Sequence, residues 1–104
     1  MNGALAGATY SVTQANAGST VVGLEGELDM SNADALRSAL ADTIGSVRGT
    51  LILDVEQLEF ADSAAIALWV SWSKQVGRLE VHNSTPIVRR VIEAMGLEPV
   101  LNPS

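Results

Sequence analysis

The chain has 104 residues, 47% of them hydrophobic and 17% charged, which predicts one domain with one apolar core. It contains no cysteine, and this excludes disulfides, thiolate metal sites and cysteine nucleophiles. The net charge is −6 and only six residues are Lys or Arg, so a nucleic acid or an anionic membrane surface would find no basic stripe to bind.

The start of the chain is rich in Gly and Ala and has no periodicity. It predicts a flexible arm over residues 1–8, followed by the domain proper over residues 9–104. The arm has too few apolar residues for a signal sequence. No apolar run reaches the roughly 18 residues that cross a bilayer. We therefore expect a soluble, cytoplasmic protein.

Two segments with β-type composition follow, over residues 10–14 and 20–28. The turn signal Asn16-Ala17-Gly18 separates them, so they predict a hairpin. Strict alternation on the second strand predicts one buried and one solvated face. The residues assigned to the buried face are Val22, Leu24, Gly26 and Leu28.

The first helix is predicted over residues 32–44. Ser31 is expected to accept hydrogen bonds from the amides of its first turn, and Gly45 is expected to end it. The nearly continuous apolar run over residues 51–55 is typical of a central parallel strand with helices on both faces.

The second helix is predicted to begin near Asp62-Ser63 and to end before Gly77. Its apolar side chains occupy more than one face. Leu68 and Trp72 either form an exposed patch that binds a partner or pack into the core with the rest.

Leu79 and Val81 predict a further strand, and Ser84-Thr85-Pro86 predicts the start of a third helix that Gly96 ends. Residues 97–101 are expected to add an edge strand. The order is β-β-α-β-α-β-α with this final strand, an α/β fold with right-handed crossovers.

The sequence predicts no enzyme. His82 could be combined with Ser63 and Asp54 into a triad, but the turn G-x-S-x-G that strains a nucleophile is absent. The carboxylates Glu25, Glu27 and Asp29 could serve acid–base chemistry, but they are interpreted as a solvated strand face. No glycine-rich phosphate loop and no metal-ligand pattern occurs, so no catalytic residue, cofactor or metal is expected.

Asp62-Ser63 stands where an apolar strand gives way to a helix. Ser63 on its own has two interpretations. It is a capping residue, or it is a phosphorylation site at which the helix dipole tolerates an added dianion. In the second case, a partner docked over the start of the helix would meet a bulky charge beside Asp62.

A series of short motifs runs through the chain in order. They are Gly26-Glu27-Leu28-Asp29 followed by Ala33, Leu36-Arg37 and Leu40, then Leu53-Asp54-Val55, Phe60-Ala61-Asp62-Ser63, Pro86-Ile87-Val88-Arg89-Arg90-Val91 and Gly96-Leu97. Together they resemble the STAS domain family, and more narrowly bacterial anti-sigma factor antagonists. The resemblance covers about residues 10–101.

The resemblance implies a STAS-like mixed sheet of four to five strands with helices packed against it. It also implies that Ser63 is phosphorylated by a serine-kinase anti-sigma factor. The unmodified form would bind that kinase and free a sigma factor, which places the protein in transcription regulation and stress response. A serine phosphatase would reset it.

The expected partner-binding surface surrounds this serine. The family has Ser or Thr and then Gly after it, whereas this chain has Ala64-Ala65, so kinase docking is expected to differ. The residues assigned to the surface are Asp29, Ser31, Asp62, Ser63, Ala64, Ala65, Leu68 and Trp72.

Two other STAS functions are open at this point. The first is a non-switching scaffold subunit of a lipid-transport ABC complex, in which the same helix would dock on an ATPase. The second is a module that senses a small ligand in a larger stress complex.

Overall fold

The computed structural model describes residues 1–15 and 18–104, and these form five strands and four helices. The elements in chain order are β1 (Asn2–Leu5), β2 (Ala8–Gln14), β3 (Thr20–Leu28), α1 (Ala33–Gly45), β4 (Thr50–Ala61), α2 (Ser63–Ser73), β5 (Arg78–His82), α3 (Pro86–Ala94) and α4 (Glu98–Leu101).

The strands form one mixed sheet in the order β1-β2-β3-β4-β5. The pairs β1/β2 and β2/β3 are antiparallel, while β3/β4 and β4/β5 are parallel. This confirms the predicted α/β fold and the hairpin of β2 and β3. Two residues of the predicted turn, Asn16 and Ala17, lie outside the described residues.

The N-terminal segment corrects one expectation. The arm predicted over residues 1–8 contains β1, which pairs with β2 from Asn2 opposite Ser11 to Leu5 opposite Ala8. The amide of Val12 also donates to the Met1 carbonyl at 2.6 Å. Main-chain hydrogen bonds can order an edge strand whose side chains show no alternation, because the bonds do not depend on side-chain type.

The sheet buries only one face under the helices, which is a second correction. On β4, the buried Leu51, Leu53 and Val55 alternate with the half-buried Ile52 and Asp54. Side chains alternate along any strand, so helices on one side leave the other side partly solvated. The apolar run over residues 51–55 therefore did not require helices on both faces.

Helix α2 lies in the middle of the helical layer, where it contacts α1, α3, α4, β4 and β5. Leu68 is 0% exposed and Trp72 is 1% exposed, so the exposed patch considered for them is wrong. Neighbours on several sides explain why this helix is apolar around more than one face. Leu68 and Trp72 anchor it in the core.

The chain after α3 is helical where an edge strand was expected. Residues 98–101 form α4, in which the Leu101 amide donates to the Leu97 carbonyl at 2.9 Å. Pro99 fits the first turn of a helix because its fixed φ suits that position. After α4, Pro103 forms an isolated parallel bridge with Val81, and the Ser104 amide donates to the Val81 carbonyl at 2.9 Å.

No helix in residues 1–15 and 18–104 combines the length and apolar character that crossing a bilayer demands.

Gly26 is expected to be essential where β3 packs against Gly7, in the turn between β1 and β2. Its φ is +93°, and a Cβ there would lie 2.5 Å from the Gly7 carbonyl oxygen. We expect Gly26→Ala to lower the free energy of unfolding by about 2 kcal/mol or more. Urea denaturation measures this. Gly45→Ala is the control, since nothing lies within 4 Å of its added methyl group. Equal stability of both variants would contradict the prediction.

Leu68 is expected to stabilise the fold by its burial in the core. We expect Leu68→Ala to lower the free energy of unfolding by about 2–5 kcal/mol, because the methyl groups it removes are fully buried. Chemical denaturation checks this. The exposed Ala67 on the same helix provides the control, and Ala67→Ser should change stability by less than about 0.5 kcal/mol. A Leu68→Ala variant as stable as the original chain would show that the side chain is not in the core.

Candidate functional site

The site lies where the parallel strands β3 and β4 end side by side. Leu28 and Ala61 are register partners, and the Asp62 amide donates to the Leu28 carbonyl at 3.2 Å. The carboxyl ends of parallel strands meet at one edge of a sheet. Asp29 and Asp62, each the first residue after its strand, are brought to the same edge in this way.

The Asp62 carboxylate joins two parts of this edge. Its Oδ1 accepts from the amides of Ala64 at 2.9 Å and Ala65 at 3.2 Å, which caps α2. Its Oδ2 accepts from the Met30 amide at 3.2 Å. The interpretation of Ser63 as the cap is therefore wrong, since Asp62 caps the helix and Ser63 is its first residue. Both residue types suit a cap, and sequence did not separate these neighbours.

Ser63 is exposed at the first turn of α2. Helix N-termini carry unsatisfied amides and partial positive charge, which favours an anion there. The capping bonds come from Asp62, so a modified Ser63 leaves them in place. The position can therefore accept a phosphoryl group without loss of the helix cap.

The four-residue loop between β3 and α1 is held by its own polar side chains. Asp29 Oδ1 accepts from the Ser31 amide at 2.8 Å and also from the Ser31 hydroxyl. The hydroxyl first, and then the amide, hold the pKa of the Asp29 carboxyl below its ordinary value. The expectation that Ser31 caps α1 is wrong, because its hydroxyl donates to Asp29 and Asn32 occupies the N-cap position.

Asn32 is a site residue that the sequence reasoning missed. It is 3% exposed, and its Nδ2 donates to the carbonyls of Ala6 at 2.9 Å and Glu27 at 2.8 Å. Its Oδ1 accepts from the Asp29 amide at 3.0 Å. Asn32 thus ties the loop to the turn between β1 and β2. Asn in a short loop after a strand was the available signal, because Asn commonly bonds to nearby backbone in turns.

Met30 was also missed. Its side chain is 81% exposed, next to the loop residues Asp29 and Ser31. A large apolar residue inside a four-residue polar loop was the signal, since it matches neither a helical nor a strand period.

The structure divides the predicted partner-binding residues into two groups. Asp29, Ser31, Asp62, Ser63 and Ala64 are exposed or half-buried around the ends of β3 and β4. The other three are in the core, namely Ala65, Leu68 and Trp72. A partner cannot reach these three without unfolding the helix.

The other polar groups considered for chemistry have partners of their own. His82 Nε2 lies 2.9 Å from Glu80 Oε1, and Asp54 Oδ1 accepts from Asn83 Nδ2 at 3.1 Å. Across the described part of the chain, no group of three or more His, Asp or Glu side chains could hold a metal ion.

Comparison with known proteins places this site in context. The anti-sigma-F factor antagonist RsfB of Mycobacterium tuberculosis is 28% identical over 84 residues, which cover 78% of this chain and 69% of RsfB. The crystal structure of an anti-sigma factor antagonist from Mycobacterium paratuberculosis superposes with a TM-score of 0.83 and 26% identity, covering 92% of this chain and 84% of that one.

A third relative, SpoIIAA, has been solved in two forms. The unphosphorylated anti-sigma factor antagonist gives a TM-score of 0.76 at 26% identity, covering 91% of this chain and 87% of that one. The phosphorylated form, described as the Bacillus cell fate determinant SpoIIAA, gives a TM-score of 0.69 at 25% identity. The superposition covers 91% of this chain and 90% of that one. The fold is similar in both.

The family model described as "Mlab, STAS domain" matches residues 11–102. The match spans the loop between β3 and α1, the junction at Asp62, all of β3 and β4, and the four helices. This chain belongs to the STAS domain family.

Proposed function

We propose that this chain is an anti-sigma factor antagonist whose binding is controlled by phosphorylation of Ser63. Unmodified, it binds a serine-kinase anti-sigma factor and keeps that protein from its sigma factor. Phosphorylation releases it, and a serine phosphatase restores it. The observation that carries the proposal is the exposed Ser63 hydroxyl at the start of a helix that a different residue, Asp62, caps.

The covalent step is a phosphoryl transfer from ATP held by the kinase. Ser63 Oγ attacks the γ-phosphorus, the bond from that phosphorus to the ADP oxygen breaks, and the hydroxyl proton passes to a base of the kinase. The product carries about −1.5 to −2 additional charge at neutral pH. This chain supplies the acceptor oxygen, on the first residue of α2.

Release follows from charge and desolvation. The new dianion stands beside the Asp62 carboxylate and near the loop that holds Asp29, whose lowered pKa keeps it ionised. A partner that covers this edge must desolvate all three anions, and burying uncompensated charge is costly. The affinity of the partner therefore falls, while the domain stays folded because Asp62 still caps α2.

The relatives support this proposal in two ways. The two mycobacterial proteins and SpoIIAA are anti-sigma factor antagonists. SpoIIAA was solved with and without phosphorylation, and this chain superposes on both forms. A phosphorylated member with the same fold agrees with a switch that changes surface charge and leaves the architecture in place.

Of the two residues at which the chain departs from the family pattern, Ala64 and Ala65, only one reaches the surface. Ala65 is 0% exposed and belongs to the core, so its methyl group does not meet a docked protein. Only Ala64, which is half-buried, changes the surface next to Ser63. At this surface position the chain therefore lacks the hydroxyl group that the family's Ser or Thr would provide.

A scaffold subunit of a lipid-transport ABC complex is the second candidate. The name Mlab in the matching family model favours it. Such a subunit would dock on its ATPase through the same edge of the sheet and would not depend on the charge state of Ser63. The two experiments below separate the candidates.

Phosphorylation at Ser63 is expected when the chain is incubated with ATP and the anti-sigma factor that copurifies with it from its host. Intact-mass and peptide mass spectrometry measure the product. Ser63→Ala should abolish the modification, whereas Ser38→Ala, which removes an exposed hydroxyl of α1 outside the assigned binding surface, should retain it. A phosphate on any residue except Ser63 would contradict the proposed switch, as would no phosphate from an active kinase.

Charge at position 63 is expected to decide binding. Ser63→Asp should weaken the affinity for the same anti-sigma factor at least tenfold, about 1.4 kcal/mol, in isothermal titration calorimetry. Ser63→Asn is the matched control because it has nearly the same size without charge, and it should weaken binding much less. Both variants should unfold at the temperature of the original chain. Equal affinities of the Asp and Asn variants would favour the scaffold.

A further inference from the structure

Met30 stands out among the apolar side chains of the described residues. It is 81% exposed, more than any other large hydrophobic residue there. The next values are 64% for Met1 and 49% for Ile87. A side chain with so little contact contributes little to folding, because hydrophobic stabilisation follows the area removed from water. Met30 is therefore available to bury its surface against another protein.

The backbone beneath Met30 is fixed by hydrogen bonds on each side. The Met30 amide donates to Asp62 Oδ2, and the Asp29 amide donates to Asn32 Oδ1. The amides of Asn32 and Ala33 both donate to the Asp29 carbonyl, at 3.2 and 2.9 Å. A loop that is already ordered loses less conformational entropy when it binds. An exposed apolar side chain on such a loop is well suited to be an anchor.

The charges around Met30 indicate the chemistry of what it contacts. The carboxylates of Asp29 and Asp62 flank it, because Asp29 precedes it in the chain and Asp62 Oδ2 accepts from its amide. The whole chain carries a net charge of −6. The complementary surface has an apolar pocket for the methionine and basic side chains at its rim.

We infer that Met30 is the apolar anchor through which the unmodified chain docks on the anti-sigma factor, in an apolar pocket bordered by Lys or Arg. This inference rests on the proposed function, since it names a contact of the same partner. Methionine is flexible and polarizable, so it fills an irregular pocket well. The shared Asp62 carboxylate places the anchor beside Ser63, so a phosphate there would lie within the same contact area.

The test compares affinities for the purified anti-sigma factor by isothermal titration calorimetry. Met30→Ala should weaken binding about tenfold or more, as removal of a central apolar anchor does. Met30→Leu, with similar volume, should stay within about threefold of the original affinity. Met95→Ala removes another exposed methionine, 40% exposed at the end of α3, and should leave the affinity unchanged.

The salt dependence of the affinity separates the apolar contact of Met30 from the charge contacts of Asp29 and Asp62. Raising the salt to about 0.5 M should weaken binding by the original chain, because it screens the carboxylates. The ratio of affinities between the original chain and Met30→Ala should stay constant, since an apolar contact is not screened. A Met30→Ala deficit that disappears at high salt would overturn the inference.

The two proposals fail differently. If Met30→Ala binds within twofold of the original chain while Ser63→Asp is released, the anchor is wrong and the switch stands. If Ser63→Asp and Ser63→Asn bind equally well, the switch is wrong whatever Met30 does. Unfolding temperatures of the Met30 variants should match the original chain, because the side chain has little contact with the fold.

Discussion

The hydrogen bonds of the Asp62 carboxylate are the interaction on which the site depends. One oxygen caps α2 through Ala64 and Ala65, and the other holds the Met30 amide in the neighbouring loop. Parallel pairing of β3 with β4 makes this possible, because it ends both strands at the same edge. One side chain thereby positions both the helix that carries Ser63 and the loop that carries Met30.

The division of roles between Asp62 and Ser63 explains how a surface can change charge while the domain keeps its fold. If Ser63 supplied the cap, its modification would disturb the first turn of α2. Asp62 supplies it instead, and the rest of the helix is held from below by buried side chains such as Leu68, Trp69 and Trp72. The start of α2 is consequently a rigid platform on which an exposed hydroxyl can be altered.

Hydrophobic periodicity and capping residues predicted the elements that are specified by neighbouring residues in the sequence. The alternation of Val22, Leu24 and Leu28 gave β3, and Thr85-Pro86 gave the start of α3, where the Thr85 hydroxyl accepts from the Val88 amide. Local patterns could not predict contacts made over long sequence distances. There are three examples. Strand β1 forms because it pairs with β2, and Trp72 is buried because helices pack on either side of α2. The role of Asn32 depends on its hydrogen bond to the carbonyl of Ala6. The sequence predicted that Ser63 lies at the start of α2, and the structure shows that Asp62, not Ser63, caps this helix.

The geometry of this edge would serve both kinds of partner-binding module, one that switches and one that does not. Strand pairing and the Asp62 bonds present a fixed surface to a partner in either case. Only the chemistry of one exposed hydroxyl distinguishes them, because a dianion at Ser63 adds to the charge of Asp29 and Asp62 and a neutral residue does not. Buried residues such as Ala65 and Leu68 are needed for the fold in both kinds. What differs between a switch and a scaffold must therefore be sought in exposed residues, and at this edge the residue that can gain the charge is Ser63.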